Sequence, residues 1–369
     1  MVIGRKRQKR KREEQLAKAA AQIAAHQGRM EEVSMPEKKR EGRPLGVDIG
    51  TSKIVIAEQD SGKTSYSSQL NAFITVDYSR FTQGILQQNK IHHYRDGESL
   101  VLYGEGAEVF ANMLNAETRR PMRHGMLNPA EGSAIRIVTG ILNDIVPESK
   151  SQGYPLCFSV PGKPCEGTES DLVYHEAILR RFLSEKGYTA KGINEGLAVV
   201  FSELEAENFT GLGISAGGGM CNVCLAFLSV PLLSFSIKKA GDYIDDAVAS
   251  VTGEVNTRVR KIKENQFSLS RKPRNEVEDA LNIFYDDLIL TLVNAIWESV
   301  TQNSKLPKFD RPIPIVLSGG TAMVDGFRER FKTVLEGKAL PFEIDQVRLA
   351  NEPLYATAKG ALIASMYED

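Results

Sequence analysis

Little in the chain would cross-link it or thread it into a bilayer. Four cysteines among 369 residues are too few for a disulfide framework and suit a reducing compartment. Cys221 and Cys224 have the spacing of a zinc or redox pair. They fall, however, in CNVCLAF, an apolar run that reads as a strand, where residues three apart point to opposite faces. Buried structural thiols are therefore expected. Histidine is scarce too, and the adjacent His92 and His93 stand in a polar stretch beside Tyr94 with no acid or cysteine at ligand spacing. They read as solvated loop histidines. No apolar run approaches the roughly 20 residues that span a bilayer, and the N-terminus has charge without the apolar core of a secretory signal. A cytoplasmic location is the expectation. A formal net charge of −1 gives no global reason to invoke nucleic acid.

With 42% apolar and 25% charged residues, the chain has the balance of a globular protein with room for two domains. Its charge is uneven. Arg5, Lys6, Arg7, Lys9, Arg10, Lys11 and Arg12 form a basic run, followed by EEQLAKAAAQIAAHQG, whose Leu16, Ala20 and Ile23 recur at helical spacing on a narrow, mostly alanine stripe. Residues 1–44 read as an extension: a solvated, partly helical or disordered tail, or a basic anchor for an anionic membrane surface or an acidic partner.

The chemistry begins at Leu45–Ala57, LGVDIGTSKIVIA: a strand ending in an acid, a turn of glycine and small hydroxyl residues, and a second strand. Such a turn gathers backbone N–H groups where Gly50 admits an anion, Thr51 and Ser52 donate hydroxyls, and Lys53 adds charge. Asp48 would repel phosphate unless a cation lay between, which argues for Mg²⁺ held through water. An ordinary β-hairpin fits the same stretch. Gly211–Phe227, GLGISAGGGMCNVCLAF, repeats the pattern, and two such hairpins facing each other would grip a polyphosphate from both sides.

Between and after them, Lys63–Ser79 alternates in strand style, Gly104–Asn112 reads as a helix, Leu156–Val160 as a buried strand, and Glu169–Lys186 and Gly192–Leu204 as helices. Leu232–Ile237 is a strand; Gly241–Val251, Thr257–Gln266 and Val277–Thr301 are helices. Pro314–Gly320, PIVLSGG, is a strand running into two glycines, a geometry that sets backbone against a flat base or ribose. Alanine-rich Tyr355–Met366 is a helix that must pack closely.

Five segments in this order resemble the actin-like ATPase superfamily over nearly everything after residue 44. LGVDIGTSKIV resembles its first phosphate loop, GINEGLAVV its first connecting helix, GISAGGGMCNV its second phosphate loop, IVLSGGTAMVDGF its adenosine loop and YATAKGALIAS its second connecting helix. YGEGAEVFANMLNAETRRPMRHGML, AGDYIDDAV and KIKENQFS are most similar to bacterial actins of the MreB and MamK kind. The resemblance implies an α/β, two-domain actin-like ATPase fold, with duplicated ribonuclease H-like domains around a nucleotide cleft: domain I over residues 45–205 with 350–369 returning to it, and domain II over 206–349.

It further implies ATP and Mg²⁺ as cofactors, Asp48 orienting metal-bound water and Glu195 positioning the attacking water. Gly50, Thr51, Ser52 and Lys53, with Gly217, Gly218 and Gly219, would hold phosphates. Lys263 and Glu264 would contact ribose and adenine, and Gly319, Gly320, Thr321 and Met323, with Gly241, would wall the nucleoside. Two departures stand out: Gly196 replaces the proline of the family's Glu-Pro pair, and Ser215 replaces the aspartate that opens the second loop, removing an anionic partner of the metal shell. Slow hydrolysis is the expectation. The function implied is a nucleotide-dependent, filament-forming cytoskeletal protein whose partner is itself; the alternative is a non-polymerising ATP-binding scaffold of the division or pilus-assembly type.

Overall fold

The computed structural model describes residues 43–114, 116–149, 153–165 and 170–367, so the basic run and the alanine stripe of the extension lie outside the described residues. In chain order the elements are β1 (Leu45–Ile49), β2 (Lys53–Asp60), β3 (Lys63–Leu70), β4 (Phe73–Asp77), α1 (Arg80–Gln88), β5 (His93–Asp96), β6 (Ser99–Tyr103), α2 (Glu105–Leu114), β7 (Met122–Arg123), β8 (Met126–Leu127), α3 (Ala134–Ile145), β9 (Tyr154–Val160), α4 (Ser170–Glu185), β10 (Tyr188–Asn194) and α5 (Glu195–Glu203). They continue with β11 (Gly211–Ala216), β12 (Cys221–Phe227), β13 (Val230–Ile237), α6 (Gly241–Thr252), α7 (Asn256–Asn265), α8 (Glu276–Gln302), β14 (Ile313–Ser318), a 3₁₀ turn (Gly320–Met323), α9 (Phe327–Glu336), β15 (Ile344–Leu349) and α10 (Ala356–Met366).

The chain forms two compact units. The larger, residues 43–68, 123–126 and 148–367, carries two five-stranded sheets, ordered β3-β2-β1-β9-β10 and β13-β12-β11-β14-β15. The two orders are the same. In each, a hairpin leads into a parallel strand pair: β1 pairs antiparallel with β2 and parallel with β9, as β11 does with β12 and β14. The central strands are apolar on both faces because they are covered on both, and Val47, Ile214, Val223, Ile315 and Leu317 are fully buried. Edge strand β3, KTSYSSQL, alternates exposed and half-buried positions and carries polar residues, as an unpaired edge requires.

Helices α5 and α10 cross between the sheets. A Cβ on Gly360 of α10 would run into the carbonyl of Ala198 on α5, so only glycine permits this approach. The alanine-rich composition of α10 serves the same closeness, with Ala356, Ala358 and Ala361 all buried. On the second sheet lies α8, with Leu281, Tyr285, Leu288, Leu292 and Ile296 buried. By length and hydropathy alone α8 is apolar enough to cross a membrane, which corrects the sequence expectation that no segment is; here those residues form the core.

The smaller unit, residues 69–122 and 127–147, contains the sheet β4-β6-β5, with Leu86, Leu100, Leu102 and Phe110 in its core. Helices α1 and α3 go unread in the sequence. The expectation of solvated loop histidines fails at His92, whose Nδ1 lies 2.9 Å from the Asp144 carboxylate on α3. The hydrogen bond to that carboxylate raises its pKa. Cys221 and Cys224, by contrast, are free thiols fully buried on β12, as expected.

Candidate functional site

Both hairpin turns lie in the larger unit and face each other. In the first, the Gly50 N–H donates to the Lys53 carbonyl (3.0 Å). Asp48, one residue before the end of β1, is pinned from β9: the Ser159 hydroxyl donates to its Oδ1 (2.8 Å) and accepts from the Ile49 N–H (2.9 Å). Burial pushes the Asp48 pKa up to about 6, with the Ser159 hydroxyl acting against it. In the second turn the Gly217 N–H donates to the Met220 carbonyl (3.0 Å). A Cβ on Gly218 would strike the Ser52 hydroxyl, and one on Gly219 the Thr51 hydroxyl, so the glycines are what allow the turns to meet. The Gly125 N–H caps the pair by donating to Thr51 Oγ1 (3.0 Å).

Glu195 opens α5. The sequence reading of one helix over Gly192–Leu204 is corrected here: β10 runs through Asn194, whose side chain caps α5 by accepting from the Leu197 N–H (3.1 Å). Glu195 is buried, and its Oε2 accepts from the Ser215 hydroxyl (3.0 Å). Burial first, and the Asp48 charge second, push its pKa up to about 8, while Ser215 and Asn222 favour the charged form. Ser215 is thus engaged with the acid of the site. Gly196 also has its reason: a Cβ there would come 2.6 Å from the Cys224 backbone nitrogen, so neither proline nor alanine fits where α5 rides on β12.

At the other end, Gly319 turns at φ 86 and its N–H donates to the Pro353 carbonyl (2.9 Å). The Gly217 carbonyl accepts from the Thr321 hydroxyl (2.7 Å) and the Gly241 N–H (3.2 Å), which joins this turn to the second hairpin. Lys263 is buried, donates to the Gly241 carbonyl (2.8 Å) and pairs with buried Asp245 (2.7 Å), which also takes Arg260 (3.2 Å). Its charge is therefore matched within the protein. Glu264 is exposed, and Met323, at 46% exposure, offers a flat apolar surface.

These residues line one cleft of about 580 Å³, within the usual range for a small-molecule site. Asp48, Gly50, Thr51, Ser52, Lys53, Glu195, Ser215, Gly217, Gly218, Gly219, Gly241, Lys263, Glu264, Gly319, Gly320, Thr321 and Met323 all border it. The sequence reading misses Asn222, Asp242, Asp245, Arg260 and Tyr355 on its wall, and Ser159 behind Asp48.

Twin sheets of one topology, joined through facing glycine hairpins and a crossed helix pair, define the actin-like ATPase fold. The chain belongs to the Volactin family, whose profile it matches over residues 44–365. No curated protein matches it in sequence. Among solved structures it is similar to a MamK double helical filament, with 18% identity and a TM-score of 0.64 over 88% of this chain and 99% of that one. It is likewise similar to a non-polymerising MamK mutant bound to AMPPNP, with 18% identity and a TM-score of 0.53 over 89% of this chain and 100% of that one. At this identity the likeness establishes the fold.

Proposed function

We propose that the protein binds Mg·ATP in this cleft, assembles into filaments in a nucleotide-dependent way and hydrolyses ATP slowly. The observation that carries the reading is the convergence of two glycine turns, with Lys53, on one cavity whose far end is an open apolar and backbone surface. The Gly50 and Gly217 amides close their own turns, while the Gly218 and Gly219 amides suit β- and γ-phosphate oxygens, the Thr51 and Ser52 hydroxyls add donors, and the Gly319-Gly320 turn with Met323 suits a nucleoside.

The donor set fits Mg²⁺ held through water. Asp48 is a half-buried carboxylate held by the Ser159 hydroxyl, and no cluster of three or more His, Cys, Asp or Glu among the described residues would bind a metal directly. When bound, the ion would neutralise phosphate charge as a Lewis acid. Asp48 would orient its water shell. Glu195, made more basic by burial, would accept a proton from the attacking water, and Ser215 would hold that carboxylate in place. A serine brings no charge to the metal shell, which is the reason for slow turnover. Assembly is supported by the MamK filament of the same fold. A cytoplasmic site of action, with the basic extension reaching an anionic membrane face, belongs to the same proposal.

Calorimetry and pelleting test it. The natural protein should bind AMPPNP with Mg²⁺ and sediment as filaments visible by negative stain, and Asp48→Ala should weaken Mg-dependent binding at least ten-fold while still folding, as shown by a cooperative melting transition. Equal affinity in Asp48→Ala would remove the metal role. A protein that binds AMPPNP yet stays monomeric would be a scaffold.

A further inference from the structure

The two five-stranded sheets are built to one plan, so places in the first have counterparts in the second. Asp48 on β1 corresponds to Ser215 on β11, and the parallel neighbours β9 and β14 correspond as well. In the first half the β1–β9 ladder ends at Val47 opposite Phe158, which brings Ser159 beside Asp48. In the second half Ile214 lies opposite Leu317, and the ladder continues one pair further, to Ser215 opposite Ser318. A serine thus stands at the same place in both halves, beside an acid in one and beside a hydroxyl in the other. Both serines are buried, Ser159 at 1% exposure and Ser318 at 0%.

The two hydroxyls differ in what they hold. Ser159 Oγ accepts from the Ile49 N–H (2.9 Å) and donates to Asp48 Oδ1 (2.8 Å). A hydroxyl has one proton, so with the Ile49 N–H on a lone pair that proton is committed to Oδ1. The bond from Ile49 also takes over where the backbone ladder has stopped, and it fixes the hydroxyl to the strand that carries the acid. Oδ1 is thereby tied down, and Oδ2 is left to the cleft that Asp48 lines. The Ser318 hydroxyl, by contrast, is buried without a hydrogen-bond partner among the described residues. A buried hydroxyl without a partner is unfavourable, so the packing around β14 gains nothing from a serine there. The same residue in the same place is engaged only in the half that has the acid, which ties the function of Ser159 to Asp48.

We propose that Ser159 is a positioning residue of the metal site, holding Asp48 so that a single carboxylate oxygen meets the water shell of Mg²⁺, and that Ser318 is its idle counterpart, with no acid to hold. The proposal rests on the Mg·ATP reading above and deepens it. A carboxylate acting through water must present its oxygen in one direction, because the waters of a magnesium shell sit at fixed places of an octahedron. Without Ser159, Asp48 could turn about its side-chain bonds and offer either oxygen in several directions, and the shell would be held less well. Supports one bond behind the group that meets a metal typically contribute about 10- to 100-fold to its affinity.

Three variants separate this role from a structural one: Ser159→Ala removes the hydroxyl, Ser159→Thr keeps it, and Ser318→Ala removes its counterpart. For each, AMPPNP affinity would be measured by calorimetry with Mg²⁺ and again in EDTA, and the melting transition recorded. Ser159→Ala should bind AMPPNP about ten-fold more weakly with Mg²⁺ yet within about two-fold of the natural protein in EDTA. Ser159→Thr should recover most of the Mg-dependent affinity, and Ser318→Ala should match the natural protein in both conditions. Should Ser159→Ala fail to melt cooperatively, Ser159→Cys, which keeps the volume with only a weak donor, replaces it with the same expectation. Three outcomes overturn the proposal: Mg-dependent affinity unchanged in Ser159→Ala; equal losses with Mg²⁺ and in EDTA, which would make the role structural; and a loss in Ser318→Ala as large as in Ser159→Ala, which would tie the serine to the strand rather than to the acid. A natural protein that bound no AMPPNP, or bound it equally with Mg²⁺ and in EDTA, would instead overturn the Mg·ATP reading itself.

Discussion

Asp48 and Glu195 are two acids sharing one buried cleft, and their protonation couples to folding. Burial raises both above their ordinary carboxylate values, to about 6 and about 8. Between the unfolded and folded values the native state binds more protons than the unfolded chain, so stability falls as pH rises through that window. For Glu195 the window runs from its ordinary 4.5 to about 8. The unliganded protein should therefore melt at a higher temperature at pH 6.5 than at pH 8.5. Glu195→Gln, which has no charge to lose, should flatten most of that slope, and a slope as steep in Glu195→Gln as in the natural protein would place its origin elsewhere. Asp48 is legible in the sequence as an acid before a glycine turn, and Glu195 through the resemblance of GINEGLAVV to a connecting helix. Ser159, Asn222 and Asp245 are not, since their meaning comes from Asp48, Gly162 and Lys263, none of them neighbours in the chain. Ser215 reads in sequence as a missing carboxylate; only the fold shows its hydroxyl donating to Glu195.

Among elements, the two hairpins are the easiest to read, because glycine punctuates them and their strands alternate or run apolar. Helix α3 carries Ile137, Val138, Ile141 and Leu142 at helical spacing, all buried, but its β-branched residues and Gly140 obscure the pattern. Strand β10 escapes because Gly192 and Asn194 look like the approach to a helix, which they are; the strand simply runs up to the cap. Contacts between elements are further from view. Glu203 ends α5 with its side chain 1% exposed, and it is held by residues just before α10: Arg348 Nη1 (2.7 Å), the Asn351 N–H (3.1 Å) and Asn351 Nδ2 (3.0 Å). Beside this network Tyr66 stacks on Tyr355 at 4.5 Å and donates to Glu352 (2.9 Å). Removing one partner of a buried pair leaves an uncompensated charge, at a cost of about 3 kcal/mol or more. Arg348→Ala should lower unfolding stability by that order in denaturant titration, and Arg348→Ala with Glu203→Gln should recover most of it. A double variant no more stable than the single one would show that Arg348 acts through packing alone.

At the scale of the whole chain, the net charge of −1 conceals a division of sign. Seven basic residues stand in the first twelve, so everything after them is acidic on balance, and the family match begins only at residue 44. The extension therefore lies outside the shared fold, and the folded part, being acidic, should be repelled by anionic lipid. Each basic residue near such a surface contributes roughly 1 kcal/mol of attraction, screened within a Debye length of about 8 Å at physiological salt. Leu16, Ala20 and Ile23 give too narrow an apolar stripe to insert unaided, so attraction by charge must dominate. Deleting residues 1–40 should then abolish co-sedimentation with phosphatidylserine liposomes while leaving AMPPNP affinity and filament sedimentation unchanged. Raising the salt from 50 to 500 mM should release the full chain from the same liposomes. A truncated protein that pellets with them as well as the full chain does would move the membrane contact onto the folded part, against its charge, and leave the basic run without a role in it.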